Sequence, residues 1–119
     1  MFPGSPSADQ IIGASRTTTG TLATVPAGNT LTANVLLTAA VAVIGTSDPT
    51  ITVNGTNAAP VSGTVIARLQ VSGLATAAAA DSQSFEILVK APAGNDVTLN
   101  FTAGAAGVSS ATISGWVYS

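Results

Sequence analysis

The chain has 119 residues, a common size for one domain, with no cysteine, no histidine and a formal net charge of −2. Only 7% of its residues are charged, three basic and five acidic, against about 25% in an average soluble domain. These figures exclude a disulfide framework, a thiolate metal site and the electropositive face that nucleic-acid binding requires. The polar surface must be built from Ser, Thr, Asn and Gly, which does little to keep copies of the chain apart. Part of that surface is therefore expected to be covered in the working state, by self-association or by docking on a larger assembly.

Residues 1–16 differ in composition from the rest. Pro3, Gly4, Ser5, Pro6 and Ser7 resist regular structure, because proline fixes φ and lacks an N–H donor. This stretch reads as an extended N-terminal arm, and 17–119 as one domain. MFPGSPSADQ has no basic region of the kind that opens a signal peptide, and Ile11-Ile12 is too short for its apolar segment. The longest apolar run, Leu31 to Ile44, is shorter than the ~20 residues that span a bilayer, so no membrane is expected. The chain is expected to be made in a cytoplasm and to stay soluble. The sequons at Asn54 and Asn100 then read as chance in a Thr-rich chain.

From residue 17 the pattern has period two, the mark of strands with one buried face. Residues 31–44 alternate Leu31, Ala33, Val35, Leu37, Ala39, Val41 and Val43. Leu36 and Ile44 add apolar mass to the other side, so a strand buried on both faces is predicted. The clearest alternation is at 61–72, with Val61, Gly63, Val65, Ala67, Leu69 and Val71 on one side and Ile66 as the exception. Leu74 to Gln83 is the longest predicted loop, and its alanines at 77–80 allow one helical turn. Strands follow at 85–91, with Phe85, Ile87 and Val89 inward, and at 97–102, with Val97, Leu99 and Phe101 inward. A last strand turns Ala111, Ile113, Gly115 and Val117 inward. The count is about seven or eight short strands, which points to a sandwich or a small barrel.

Turn chemistry agrees. Asn54-Gly55 predicts a tight hairpin turn with positive φ at both residues. Pro26-Ala27-Gly28-Asn29 and Pro92-Ala93-Gly94-Asn95 predict two further turns. They open an internal repeat, PAGNTLTANV at 26–35 against PAGNDVTLNF at 92–101. Each copy is a turn followed by an alternating strand, consistent with equivalent units in the two sheets of a sandwich.

Catalytic material is sparse. Without histidine or cysteine the common general base and the usual nucleophilic arrangements are missing. Of the acids, Asp9, Asp48, Asp81 and Asp96 fall in the arm or in predicted turns and loops. Glu86 lies on the outward face of a strand, where Arg68 or Lys90 could pair with it. No spacing selects a carboxylate pair, a Ca²⁺ loop or a phosphate-cradling Gly loop, so neither an enzyme nor a cofactor is expected. If Ile113 and Val117 face the core, Trp116 and Tyr118 point the other way, as does Leu88. Large aromatics outside a domain's own core are what interfaces use, and these three are candidate subunit-contact residues. The alternative is a bulge at Gly115 that returns Trp116 to the core.

The run from ITVNG at 51–55, through FEILVKAPAGNDVTLNF at 85–101, to SATISGWVYS at 110–119 resembles the jelly-roll domains of virion proteins. It is also similar to the trimeric jelly rolls of the C1q and tumour-necrosis-factor type, although C1q-type domains are richer in aromatics. In those folds a strand, a PAG-like turn and another strand precede a last strand at the threefold contact. With the Pro/Gly arm, the pattern resembles the capsid decoration, or cement, proteins of tailed bacteriophages. The likeness covers residues 20–119 and is one of strands and turns, without an invariant motif.

What the resemblance implies is an all-β, single jelly-roll β-sandwich of about eight antiparallel strands with an extended N-terminal arm. It implies a homotrimer on the outside of a virion, with itself and the major capsid protein as partners. Phe2, Pro3, Pro6, Ile11 and Ile12 would anchor the arm to the capsid. The competing readings are a receptor- or glycan-binding tip domain of a phage fibre, and an immunoglobulin-like module of a larger surface protein. Jelly-roll and immunoglobulin-like strand orders both stay open at this point.

Overall fold

The computed structural model describes residues 10–39, 48–70, 81–104 and 109–119. They form eight strands: β1 (Gln10–Arg16), β2 (Gly20–Val25), β3 (Thr30–Ala39), β4 (Thr50–Asn54), β5 (Val65–Arg68), β6 (Asp81–Lys90), β7 (Val97–Thr102) and β8 (Ser109–Tyr118). Two four-stranded sheets result, ordered β1-β8-β3-β6 and β2-β7-β4-β5, and every pairing within them is antiparallel.

The order decides between the two sandwiches left open above. β1 pairs with β8, β2 with β7, β3 with β6 and β4 with β5, so the chain is one long folded hairpin wrapped around a common core. Every connection except β4–β5 passes from one sheet to the other. An immunoglobulin-like sandwich instead places consecutive strands A and B side by side in one sheet. The fold is therefore a jelly roll.

The inward faces are filled mainly by aliphatic side chains. Leu31, Val35, Leu37, Ile51, Val53, Val89, Val97, Leu99, Ile113 and Val117 are fully buried, with Phe101 the largest side chain among them. Alternation in β3, β6, β7 and β8 places these residues as their sequence pattern predicts. Residues 30–39 are buried on one face only, however: Asn34 and Leu36 are exposed on the other. Residues 40–44 lie outside the described residues.

The PAGN repeat is a structural repeat. In each copy Gly takes a positive φ, +80° at Gly28 and +94° at Gly94, as the third residue of a turn closed from Asn N–H to Pro C=O. The first turn carries the chain from β2 to β3 and the second from β6 to β7, crossing between the sheets in opposite directions. The turns also hold each other. Gly28 N–H donates to Pro92 C=O at 2.8 Å, and Ala91 N–H donates to Asn29 C=O at 2.9 Å. Ala27 N–H donates to the Asp96 carboxylate at 2.9 Å.

Four further expectations are corrected. Residues 61–70 do not form one long strand: β5 is four residues, Val61 and Val65 are exposed, and Ile66 packs against the core instead, while Val71 lies outside the described residues. Asn54-Gly55 is not a two-residue hairpin turn. The β4–β5 connection runs over residues 55–64, and positive φ falls at Asn57 and Gly63. Gly55 is needed for a different reason, since a Cβ there would meet Val97 Cγ2 at 2.8 Å. Gln10–Arg16 are not arm but the edge strand β1, in register with β8 from Gln10↔Val117 to Arg16↔Ala111. Finally, Asp81–Gln83 belong to β6 rather than to the preceding loop. The helical turn considered at 77–80 lies outside the described residues.

Candidate interaction face

The outer face of the β1-β8-β3-β6 sheet is laid out in rows by the ladder register. Thr32 of β3 stands between Leu88 of β6 and Trp116 of β8, and Ile11 of β1 is the next partner beyond Trp116. One row along, Asn34 stands between Glu86 and Ser114, and one row further Leu36 stands between Ser84 and Thr112. The first two of these rows border an open depression of about 540 Å³ lined by Thr32, Asn34, Glu86, Leu88, Ser114 and Trp116, among others.

Strand parity fixes Trp116 on this face. Ile113 and Val117 are fully buried, and the register of β8 runs without a shift against both β1 and β3. No bulge occurs at Gly115. Gly115 itself points inward, where a Cβ would lie 2.5 Å from Ala33 Cα and would also collide with Thr32 O. A slip of one residue would drive the indole into that space and turn Ile113 and Val117 outward, so the arrangement is strongly specified.

Trp116 is 42% exposed and Leu88 53%. Tyr118 is half-buried, with its hydroxyl 3.0 Å from Thr32 Oγ1. The three candidate contact residues thus lie on one face around a single threonine. Of the candidate arm residues, Phe2, Pro3 and Pro6 lie outside the described residues. Ile11 and Ile12 are part of β1, and Ile12 packs against the core of its own sandwich.

Asp9 lies outside the described residues, and Asp48, Glu86 and Asp96 do not converge. Asp48 is buried and pairs with Arg68 at 2.7 Å, so Arg68 does not serve Glu86 as the sequence allowed. Asp96 accepts from the first PAGN turn, and Glu86 lines the depression. Among the described residues no group of three His, Cys, Asp or Glu side chains could hold a metal ion. No helix among them is long and apolar enough to cross a membrane.

Some residues of the face were not singled out from sequence. Thr32 and Asn34 fell in a strand read as buried on both faces and Ser114 carried no assignment, because the register that brings β6, β3 and β8 abreast is not written in any one strand. Val61 and Val65, exposed at the β4–β5 connection, were assigned to the core by their alternation. Gly63, which falls in step with that alternation but takes a positive φ of +92°, was the available signal of a turn there.

No family model matches the chain, and no curated protein matches it. A solved structure of infectious bursal disease virus, Gx strain, aligns with 96% of this chain and 38% of its own, at 12% identity and a TM-score of 0.29. The chain therefore spans well under half the length of that viral protein. At this score the likeness carries no argument about function.

Proposed function

We propose that this chain is a structural virion protein that decorates and stabilises a phage capsid as a homotrimer, acting by packing rather than by catalysis. The observation that carries the reading is the outward Leu88–Thr32–Trp116 row, with Leu36 two rows away, on a domain of very low charge. Large apolar side chains grouped on one sheet face are suited to contact with another chain. The jelly roll is a common architecture of virion proteins, although a fold alone does not set function. In this reading Trp116, Tyr118 and Leu88 line the subunit contact. The segment before β1, with Phe2, Pro3 and Pro6, reaches the major capsid protein. Association rests on apolar burial and is only weakly sensitive to salt.

One observation favours a second reading, a glycan- or receptor-binding fibre tip. Trp116 borders a depression that also presents Asn34, Glu86 and Ser114, a mixture of apolar and polar groups that can hold a small polar ligand. Gold-labelled antibody against the chain, applied to intact particles of the phage that encodes it, separates the two. Label spread over the capsid surface supports decoration, and label confined to fibre tips supports the alternative. Particles without label contradict both.

A further inference from the structure

Asn54 ends β4 and Gly55 opens the β4–β5 connection, so the pair is not used as the hairpin turn its sequence suggests. The same pair carries a covalent chemistry. Glycine has no Cβ to shield its amide nitrogen, so in an unfolded chain that nitrogen can attack the side-chain amide of a preceding asparagine. The bond from Gly55 N to Asn54 Cγ forms, the Cγ–Nδ2 bond breaks, and ammonia leaves with the Gly55 amide proton. Water then opens the succinimide at either carbonyl and gives aspartate or isoaspartate. Asn29, Asn34, Asn57, Asn95 and Asn100 precede Thr, Val, Ala, Asp and Phe, whose side chains hinder the same approach.

We infer that Asn54 is a latent deamidation site, held closed by the fold because the Asn54–Gly55 peptide group is clamped at both ends. Its N–H, the attacking group, donates to Ser62 Oγ at 3.0 Å. Its C=O accepts from the hydroxyl of Thr98, the β7 partner of Asn54, at 3.4 Å.

The fold supplies both clamps. Ser62 is carried by a turn closed from Thr64 N–H to Val61 C=O at 3.1 Å. That turn is tied to β4, with Gly63 N–H donating to Val53 C=O at 2.7 Å and Val53 N–H to Thr64 C=O at 2.9 Å. Gly55 lies so close to β7 that a Cβ would meet Val97 Cγ2 at 2.8 Å, which leaves its backbone little space to swing. Asn54 is also in a strand, whereas the five-membered ring holds ψ far from the extended value. Attack therefore waits for a local opening that breaks both hydrogen bonds. Conversion would put a new carboxylate, or an extra backbone carbon, at the end of β4 in a chain of net charge −2.

The full chain is incubated in mildly alkaline buffer, folded and in guanidinium chloride, and conversion at each asparagine is read by peptide mass spectrometry. In denaturant Asn54 is expected to convert ahead of every other asparagine, while the folded chain converts little in the same time. Ser62 is exposed, so Ser62→Ala should keep the circular dichroism of the unmodified chain. It should convert Asn54 about two- to tenfold faster than the unmodified folded chain, as the loss of one hydrogen bond implies. Ser62→Thr keeps a hydroxyl and should stay at the unmodified rate. Equal rates in the folded and denatured chains overturn the closed site. A Ser62→Ala rate equal to the unmodified one, or a Ser62→Thr rate equal to that of Ser62→Ala, overturns the clamp.

Discussion

The outer faces of the two sheets are built from the same period-two alternation and carry different side chains. On the β2-β7-β4-β5 sheet the outward positions are mostly Thr and Asn: Thr21, Thr24, Thr50, Thr52, Asn54, Thr98, Asn100 and Thr102. They bond to one another, as where Thr21 donates to Asn100 Oδ1 at 3.2 Å. Such a face suits β backbone and water together, since threonine is β-branched and polar. The β1-β8-β3-β6 sheet also has Ser and Thr outward, yet it places Leu36, Leu88 and Trp116 among them. In a chain with so few charges, that contrast is the reason the proposed contact is placed on the β1-β8-β3-β6 sheet.

The largest effect that would break this comparison is expected at Trp116. Trp116→Ala should weaken association by about 2–4 kcal/mol, roughly 30- to 1000-fold, and leave the circular dichroism of the monomer intact. Sedimentation velocity over a dilution series reads that change. Next is Gly115→Ala, which forces β8 away from Ala33 and Thr32. It should cost about 1–3 kcal/mol of stability in urea unfolding and also lower association, because Trp116 is carried on the displaced strand.

Arg68→Ala removes the partner of the buried Asp48 carboxylate, at the edge strand of the quieter sheet. Because the Arg68 side chain is itself 59% exposed, the loss should be only about 1–2 kcal/mol of stability, with no change in oligomeric mass. Smallest of all, Thr24→Ser and Thr102→Ser on the Thr/Asn face should each stay within about 0.5 kcal/mol and leave association unchanged. If these two altered the mass as Trp116→Ala does, the distinction between the faces would collapse.

Sequence parity was legible wherever a strand has a partner over its whole length. Phe101, Ile113 and Val89 were placed correctly because the ladder of neighbours holds each alternation in one plane. Residues 61–70 fail for the same reason in reverse. Their alternation is regular, but β4 pairs only with Val65–Arg68, a bulge takes up Ile66, and Val61 has no ladder to turn it inward. Asn54-Gly55 fails because glycine has two uses. Here it makes room for Val97, and the turn closes elsewhere in the connection.

The candidate site was half legible. Parity against Ile113 and Val117 put Trp116 outward, and the same argument served Leu88. That the two flank one threonine depends on the pairing of β6 and β8 with β3, which are far apart in sequence. The PAGN repeat was legible as a repeat. That its two turns bond to each other follows only from the folded hairpin, which brings residues 26–29 beside 92–95.

The central claim is that the β1-β8-β3-β6 face binds other copies of the chain through apolar contact. Light scattering on a sizing column, at low and at high salt, tests it most directly. The account predicts three times the chain mass of 11.5 kDa, unchanged by salt. A mass of one chain in both buffers would contradict it.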